Sequence, residues 1–215
     1  RKVKMVDLVE ALNRNWEGKE DLHRQFLETP HFGNDDNYVD FIARDVLYRT
    51  TKIIESFVNN LGFHYFQDGS SGAAFYGFTG LLGATPDGRR DKDPINDGTI
   101  SPVMMRDKKG PTAVLNSVGK VDPLITFNHL LNQKFMPQLL GGSNREIFAS
   151  YLKTWADLGI HHIQFNVIDN ETLRSAQKNP ELYGDLVVRV AGYSAYFVDL
   201  PKGLQDSIIE RTTQA

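Results

Sequence analysis

The chemistry open to this chain is narrowed first by what its polar stretches lack. GATPDGRR at 83–90 has the glycine spacing of a phosphate-binding loop, but Arg89 and Arg90 stand where Lys and Ser/Thr would hold phosphate and magnesium. These two arginines are expected to form surface ion pairs rather than to anchor an anionic substrate. DKDPINDG at 91–98 has the composition of a calcium loop, yet Asn96 replaces the turn glycine and Pro102 replaces the closing glutamate, so an Asx-rich turn is expected. None of the six histidines forms an H-E-x-x-H pair, and the neighbours His161 and His162 point to opposite faces of a strand. No metal site is expected. A Ser-His-Asp hydrolase finds no G-x-S-x-G elbow to support it. There remains the segment 164–212, with Arg189-Val190-Ala191-Gly192-Tyr193-Ser194 at its centre. By itself Gly192 reads as a tight turn between two strand-like runs.

The elements that position this segment follow from periodicity. Met5, Leu8, Val9, Leu12 and Trp16 recur at helical spacing before a turn at Glu17-Gly18. A second helix opens at a cap region, Gly33-Asn34-Asp35-Asp36. It carries Val39, Ile42, Ala43, Val46, Leu47, Ile53, Ile54 and Phe57 on one stripe, which should lie against a substantial body of protein. Between Gly62 and Gly142 the pattern breaks into loops and short buried strands. The small residues of FQDGSSGAAFYGF at 66–78 leave room for a bulky apolar substrate or simply make a turn, the cheaper reading. A capping-box spacing, Ser143 to Glu146, opens a helix through Ile147, Phe148, Tyr151, Leu152 and Trp155 that ends at Gly159. The period then changes to two. In IHHIQFNVI, Ile163, Phe165 and Val167 face one way, and His162, Gln164 and Asn166 face the other, toward a cavity or solvent. A helix over 171–176, a turn at 180–183, a strand at 186–190 and a final helix from Lys202 with Leu204, Ile208 and Ile209 inward complete an α/β body.

Composition agrees with a soluble globular protein: 40% apolar and 24% charged residues over 215 positions, with a net charge of −3. Such a balance gives no basic field for nucleic acid and no polybasic run for a membrane. Without a long apolar segment or a signal core, the chain reads as cytoplasmic. It contains no cysteine, so neither a disulfide, an iron–sulfur ligand nor a thiol nucleophile comes from this segment. The start at Arg1, close to a helix, leads us to expect a longer protein whose N-terminal part is missing.

The core RVAGY at 189–193, the upstream FNV…LRSAQKNPELY and the downstream LQDSIIERT resemble the radical loop of the glycyl radical enzymes in order and spacing. TPDGRR…PINDGTISPVMMRDKKGPTAVLNSVGKVD at 85–122 and FGNDDNYVD at 32–40 are similar to further blocks of the same superfamily. The resemblance implies the C-terminal half-barrel of a ten-stranded α/β barrel plus a radical-loop domain. Residues 1–142 would then belong to the pyruvate formate-lyase-like barrel and 143–215 to the glycyl radical domain. It implies that Gly192 loses a Cα hydrogen and stores the unpaired electron, shared with the flanking peptide groups. A side chain would crowd that planar centre, and burial would shelter it from oxygen. Arg189, Val190, Ala191, Tyr193 and Ser194 would support the loop, with side-chain hydrogen bonds from Arg189 and Tyr193. His162, Gln164 and Asn166 are candidates for lining a cavity.

By the same resemblance, no cofactor is bound here. An S-adenosylmethionine-dependent iron–sulfur activating enzyme installs the radical. A cysteine loop in the missing N-terminal half relays it to a small-molecule substrate in a homodimer or hetero-oligomer. The loop VAGYSAYF resembles those of the dehydratases, lyases and succinate synthases more than that of pyruvate formate-lyase, and the stretches DKKGPTAVLNSVGKVDP, WADLGIHHIQFN and AGYSAYFVDL incline the reading toward arylalkylsuccinate (benzylsuccinate) synthases, which add a hydrocarbon to fumarate. Glycyl radical dehydratases, or lyases that eliminate from a diol, choline or sulfonate, are the alternative. A stand-alone radical-domain repair protein without its own catalysis is the non-enzyme reading.

Overall fold

The structure is a computed structural model that describes residues 3–69, 74–122, 124–126 and 128–214. Helices run over Met5–Asn13 (α1), Glu20–Leu27 (α2), Asn37–Glu55 (α3), Ala74–Phe78 (α4), Pro111–Gly119 (α5), Asn144–Asp157 (α6), Asn170–Lys178 (α7) and Lys202–Glu210 (α8). Strands run over Leu131–Phe135 (β1), Ile163–Val167 (β2), Val187–Arg189 (β3), Ser194–Tyr196 (β4) and Thr213–Gln214 (β5). Ser70, Ser71, Gly72 and Ala73 lie outside the described residues, and with them the centre of the small-residue stretch at 66–78.

β1 is the middle strand of a parallel sheet of order β2-β1-β5, with Leu131 beside Ile163 and Phe135 beside both Val167 and Gln214. α6 makes the crossover from β1 to β2, as a parallel pair requires. On one face, Leu131 and Phe135 pack with Val114, Leu115 and Val118 of α5 and Tyr151 of α6. Each such side chain contributes about 1.5–3 kcal/mol by leaving water. The other face is covered by α7, α8 and the antiparallel β3–β4 hairpin, through Leu173, Val188, Val190, Phe197, Leu204 and Ile208.

All five residues of β1 are buried, although Asn132, Gln133 and Lys134 are polar. Lys134 is tolerated because its Nζ donates to the carbonyls of Ile208 (3.2 Å) and Ile209 (2.8 Å) and to Asn170 Oδ1 (2.7 Å). It thereby satisfies the last turn of α8. Burial first, then the nearby charges of Arg211 and Arg174, pull this ammonium down to about 8.

Three local expectations need correction. α5 lies in a region expected to be loop and strand. Its start, Gly110 at φ +85 followed by Pro111, reads in sequence as a turn but serves here as an N-terminal stop with proline in the first helical turn. The capping box at Ser143 does not form: Ser143 has helical angles (φ −64, ψ −19) and its side chain makes no cap bond. The apolar stripe of α3 meets the rest of this chain only in part: Leu47 packs against the cluster of α5 and β1, whereas Ile42, Val46, Ile53 and, just past the helix, Phe57 are each about half exposed or more. α3 is held also by polar contacts, among them Thr51 Oγ1 donating to Gln67 Oε1 (2.7 Å). Buried Asp40 accepts from Ser117 Oγ (3.0 Å) and from Lys120 Nζ (2.8 Å), and Asp36 caps the Tyr38 amide. An open apolar groove of about 430 Å³ runs along the stripe between Phe32, Leu47, Ile100 and Val121.

Candidate functional site: the Gly192 hairpin

β3 and β4 pair with Arg189 opposite Ser194, and Val190 N–H donates to the Tyr193 carbonyl (2.9 Å), leaving Ala191 and Gly192 as the turn. Gly192 has φ +81, the value required at the third residue of a type II turn and strained for any L side chain. Val190 and Ala191 are fully buried beneath the turn. Gly192 itself is exposed, and a Cβ on it would meet no described atom beyond its chain neighbours within 4 Å. Two expectations change accordingly. Among the described residues glycine is demanded by backbone angle rather than by crowding, and these residues do not themselves shelter the Cα from solvent.

The main chain leading into the turn is gripped by side chains from distant elements. Asn166 of β2 pairs with both sides of one peptide: its Oδ1 accepts from Arg189 N–H and its Nδ2 donates to Arg189 C=O, each at 2.8 Å. Gln164 Oε1, two residues earlier on the same face, accepts the Gly192 N–H at 3.2 Å. Gln164 Nε2 lies 3.3 Å from His162 Nε2. Among the described residues, Gln164 and Asn166 therefore face neither a cavity nor solvent, while His162 stays partly exposed. Gln164 and Asn166 are 4% and 5% exposed, and they act as ladder partners for the hairpin.

A second grip was not legible in the sequence. Arg211, just beyond α8, donates from Nη1 to Arg189 C=O (3.0 Å) and from Nη2 to Val190 C=O (2.6 Å). Its Nε stands 2.5 Å from Asp97 Oδ2, and both side chains are 5% exposed. The main-chain carbonyl of Asp97 is in turn tied to Asn132 Nδ2 of β1 (2.9 Å). Burial pushes the Asp97 carboxyl up, against the pull of the Arg211 charge, and the same burial pulls the guanidinium down. Asp97 sits in the Asx-rich turn at 91–98 and Arg211 in LQDSIIERT, and the available signal was only that both lie in stretches similar to the resembling family.

Of the other expected loop residues, Arg189 donates from Nη1 to Ser194 Oγ (3.1 Å), a bond across the mouth of the hairpin. Tyr193 enters the turn through its main chain, and its ring stands out with Tyr193 40% exposed. Arg89 is neither an anion anchor nor a surface ion-pair partner. It is 6% exposed, and its guanidinium donates to the carbonyls of Leu82, Gly83, Arg90 and Asp93, folding the 82–93 loop around itself. Arg90 reaches the Asn15 carbonyl (3.0 Å). Among the described residues, no group of three or more His, Asp and Glu side chains is placed to hold a metal ion. No described helix is long and apolar enough to cross a membrane.

A turn glycine with a restrained peptide on its N-terminal side and an open Cα is suited to giving up a Cα hydrogen. The family model described as "Glycine radical" matches residues 97–198, and the one described as "Pyruvate formate lyase-like" matches residues 1–71. Isethionate sulfite-lyase of Nitratidesulfovibrio vulgaris is 39% identical over 219 residues, covering 99% of this chain and 26% of the relative. Trans-4-hydroxy-L-proline dehydratase of Clostridioides difficile is 39% identical over 216 residues, covering 100% of this chain and 27% of the relative. The glycerol-bound B12-independent glycerol dehydratase of Clostridium butyricum superposes with a TM-score of 0.94 at 39% identity, over 99% of this chain and 27% of that one. The chain belongs to the glycyl radical enzyme family and has the α/β architecture of its barrels. It spans about a quarter of the length of the curated relatives it matches.

Proposed function

We propose that this chain is the radical-storing portion of a glycyl radical lyase and that Gly192 carries the unpaired electron. The observation that carries the reading is the turn itself: a glycine at φ +81 with its N–H held by Gln164 and its Cα open, on a hairpin clamped by Asn166 and Arg211. In activation, the Cα–H bond breaks and the hydrogen atom passes to a carbon-centred radical that an S-adenosylmethionine-dependent activating enzyme generates. The remaining electron is shared between the Gly192 nitrogen and carbonyl. In turnover, Gly192 takes a hydrogen atom back from a cysteine thiol outside these 215 residues, and the thiyl radical so formed takes hydrogen from substrate. The cover that Gly192 lacks here comes, on this reading, from the same outside surface. Residues 143–215 form the radical-bearing unit and 1–142 the adjoining part of a cytoplasmic barrel enzyme.

For the substrate, we favour elimination from a small hydroxylated or sulfonated molecule. The relatives described above are named as a sulfite-lyase and as dehydratases, and the expected leaning toward hydrocarbon addition finds no support in them. Electron paramagnetic resonance after anaerobic activation tests the site. The native-length protein should give a carbon-centred doublet that Gly192→Ala lacks, and later admission of air should cut the chain next to residue 192. A full signal in Gly192→Ala, or an intact chain after activation and air, refutes it. Incubation of the activated protein with diols, a hydroxyalkylsulfonate, or toluene plus fumarate then separates elimination from addition by product.

A further inference from the structure

The bonds around Gln164 have only one consistent assignment. Its side-chain oxygen must be the atom facing Gly192, because a peptide N–H needs an acceptor. That leaves the amide nitrogen, which can only donate, against His162 Nε2. His162 Nε2 therefore accepts, and the ring is neutral with its proton on Nδ1. Burial, the Arg189 charge and His161 all hold the His162 imidazole below its usual range, which favours that neutral form. The amide cannot flip without setting two donors against each other at Gly192. Nor does the hairpin need this bond in order to fold, since Asn166 and Arg211 already secure residues 189 and 190.

We infer that Gln164, oriented by His162, is a positioning residue that tunes the stored radical by holding the Gly192 N–H. This rests on the reading of Gly192 as the radical site and adds a role for a side chain beside it. An acceptor on the N–H polarises it and leaves more electron density on nitrogen. That nitrogen is the electron-releasing partner of the half-filled Cα orbital, with the carbonyl as the withdrawing partner. The same bond fixes the 191–192 peptide plane about the Cα, which aligns the nitrogen lone pair with that orbital. The site thus holds the donor side of the radical with a neutral, buried acceptor and leaves the Cα open for hydrogen transfer.

The test compares the native-length wild type, Gln164→Leu and Gln164→Glu after anaerobic activation. Gln164→Leu has no acceptor. It should still give a glycyl doublet, but with a changed coupling to the exchangeable amide proton, read by difference between H2O and D2O, and with roughly tenfold faster decay, the scale of one lost hydrogen bond. Gln164→Glu keeps an acceptor and should restore line shape and lifetime. A line shape and lifetime in Gln164→Leu identical to wild type overturn the proposal. A wild type with no signal, or a signal surviving in Gly192→Ala, overturns the assignment of Gly192 instead. Should Gln164→Leu not fold, as judged by circular dichroism, wild type grown with side-chain 15N-labelled glutamine supplies the second reading. Electron–nuclear double resonance should then show a weak 15N coupling that Gln164→Glu lacks, and its absence also overturns the proposal.

Discussion

Replacing Arg211 by Met should loosen the Gly192 hairpin markedly. The substitution keeps most of the buried volume but removes the cation that faces Asp97 at 2.5 Å and the donors to the carbonyls of Arg189 and Val190. Stranding one member of a buried ion pair costs about 3–5 kcal/mol. Loss of the two donors adds about 1 kcal/mol each where no replacement is found. Two effects offset part of this sum: Arg189 C=O keeps its bond from Asn166, and Asp97, already pushed toward protonation by its burial, can become neutral. A net cost of about 4 kcal/mol is expected for opening the hairpin, close to a thousandfold in the opening equilibrium. Amide hydrogen exchange in peptides covering 186–197 of the native-length protein reads that equilibrium directly. Protection there should fall by roughly a thousandfold, while α5 and α6 change little. Adding Asp97→Asn to Arg211→Met should recover about half of the loss, because the neutral amide needs no counter-charge. Protection within about threefold of wild type in Arg211→Met would refute the clamp, as would a double variant no better than the single.

Two further outcomes are expected. Gly192→Ala should keep the fold, since a Cβ there meets no described atom beyond its chain neighbours within 4 Å, but φ +81 should cost the turn about 1–2 kcal/mol, visible as faster exchange confined to the hairpin. Asp107 is raised by burial from 3.8 to about 6, although Thr212 Oγ1 and Gln214 Nε2 donate to it. A folded-state value above the unfolded one means that its contribution is complete below about pH 4 and is lost as pH rises through about 6. At about 1.4 kcal/mol per unit, the ionised carboxylate costs roughly 3 kcal/mol at neutral pH. Asp107→Asn should therefore gain on wild type between pH 4.5 and 7 in urea melts, and parallel pH dependences in the two proteins would count against the buried carboxylate.

Local signals in the sequence were enough for the elements whose period is set by their own residues. The inward residues of α8, the course of α3 and the alternation of β2 all follow from side-chain spacing. Family resemblance, in turn, singled out Gly192. Short buried strands between Gly62 and Gly142 were expected, but β1 could not be located among them, because Asn132, Gln133 and Lys134 sit where a run of apolar residues would have announced a strand. The sequence did not reveal α5, whose Gly110-Pro111 start is chemically the same as a turn.

The candidate site divides along the same line. That a glycine stands between two strand-like runs, with polar residues alternating on β2, is a one-dimensional fact. The direction in which those polar residues point is not. Only the packing of the hairpin over β2 turns Gln164 and Asn166 from prospective cavity-lining groups into partners of the Gly192 and Arg189 peptides. The Asp97–Arg211 pair lies still further from local reading. Its two charges attract over a few ångströms and are far apart along the chain, so no periodicity or motif records them until the chain is folded.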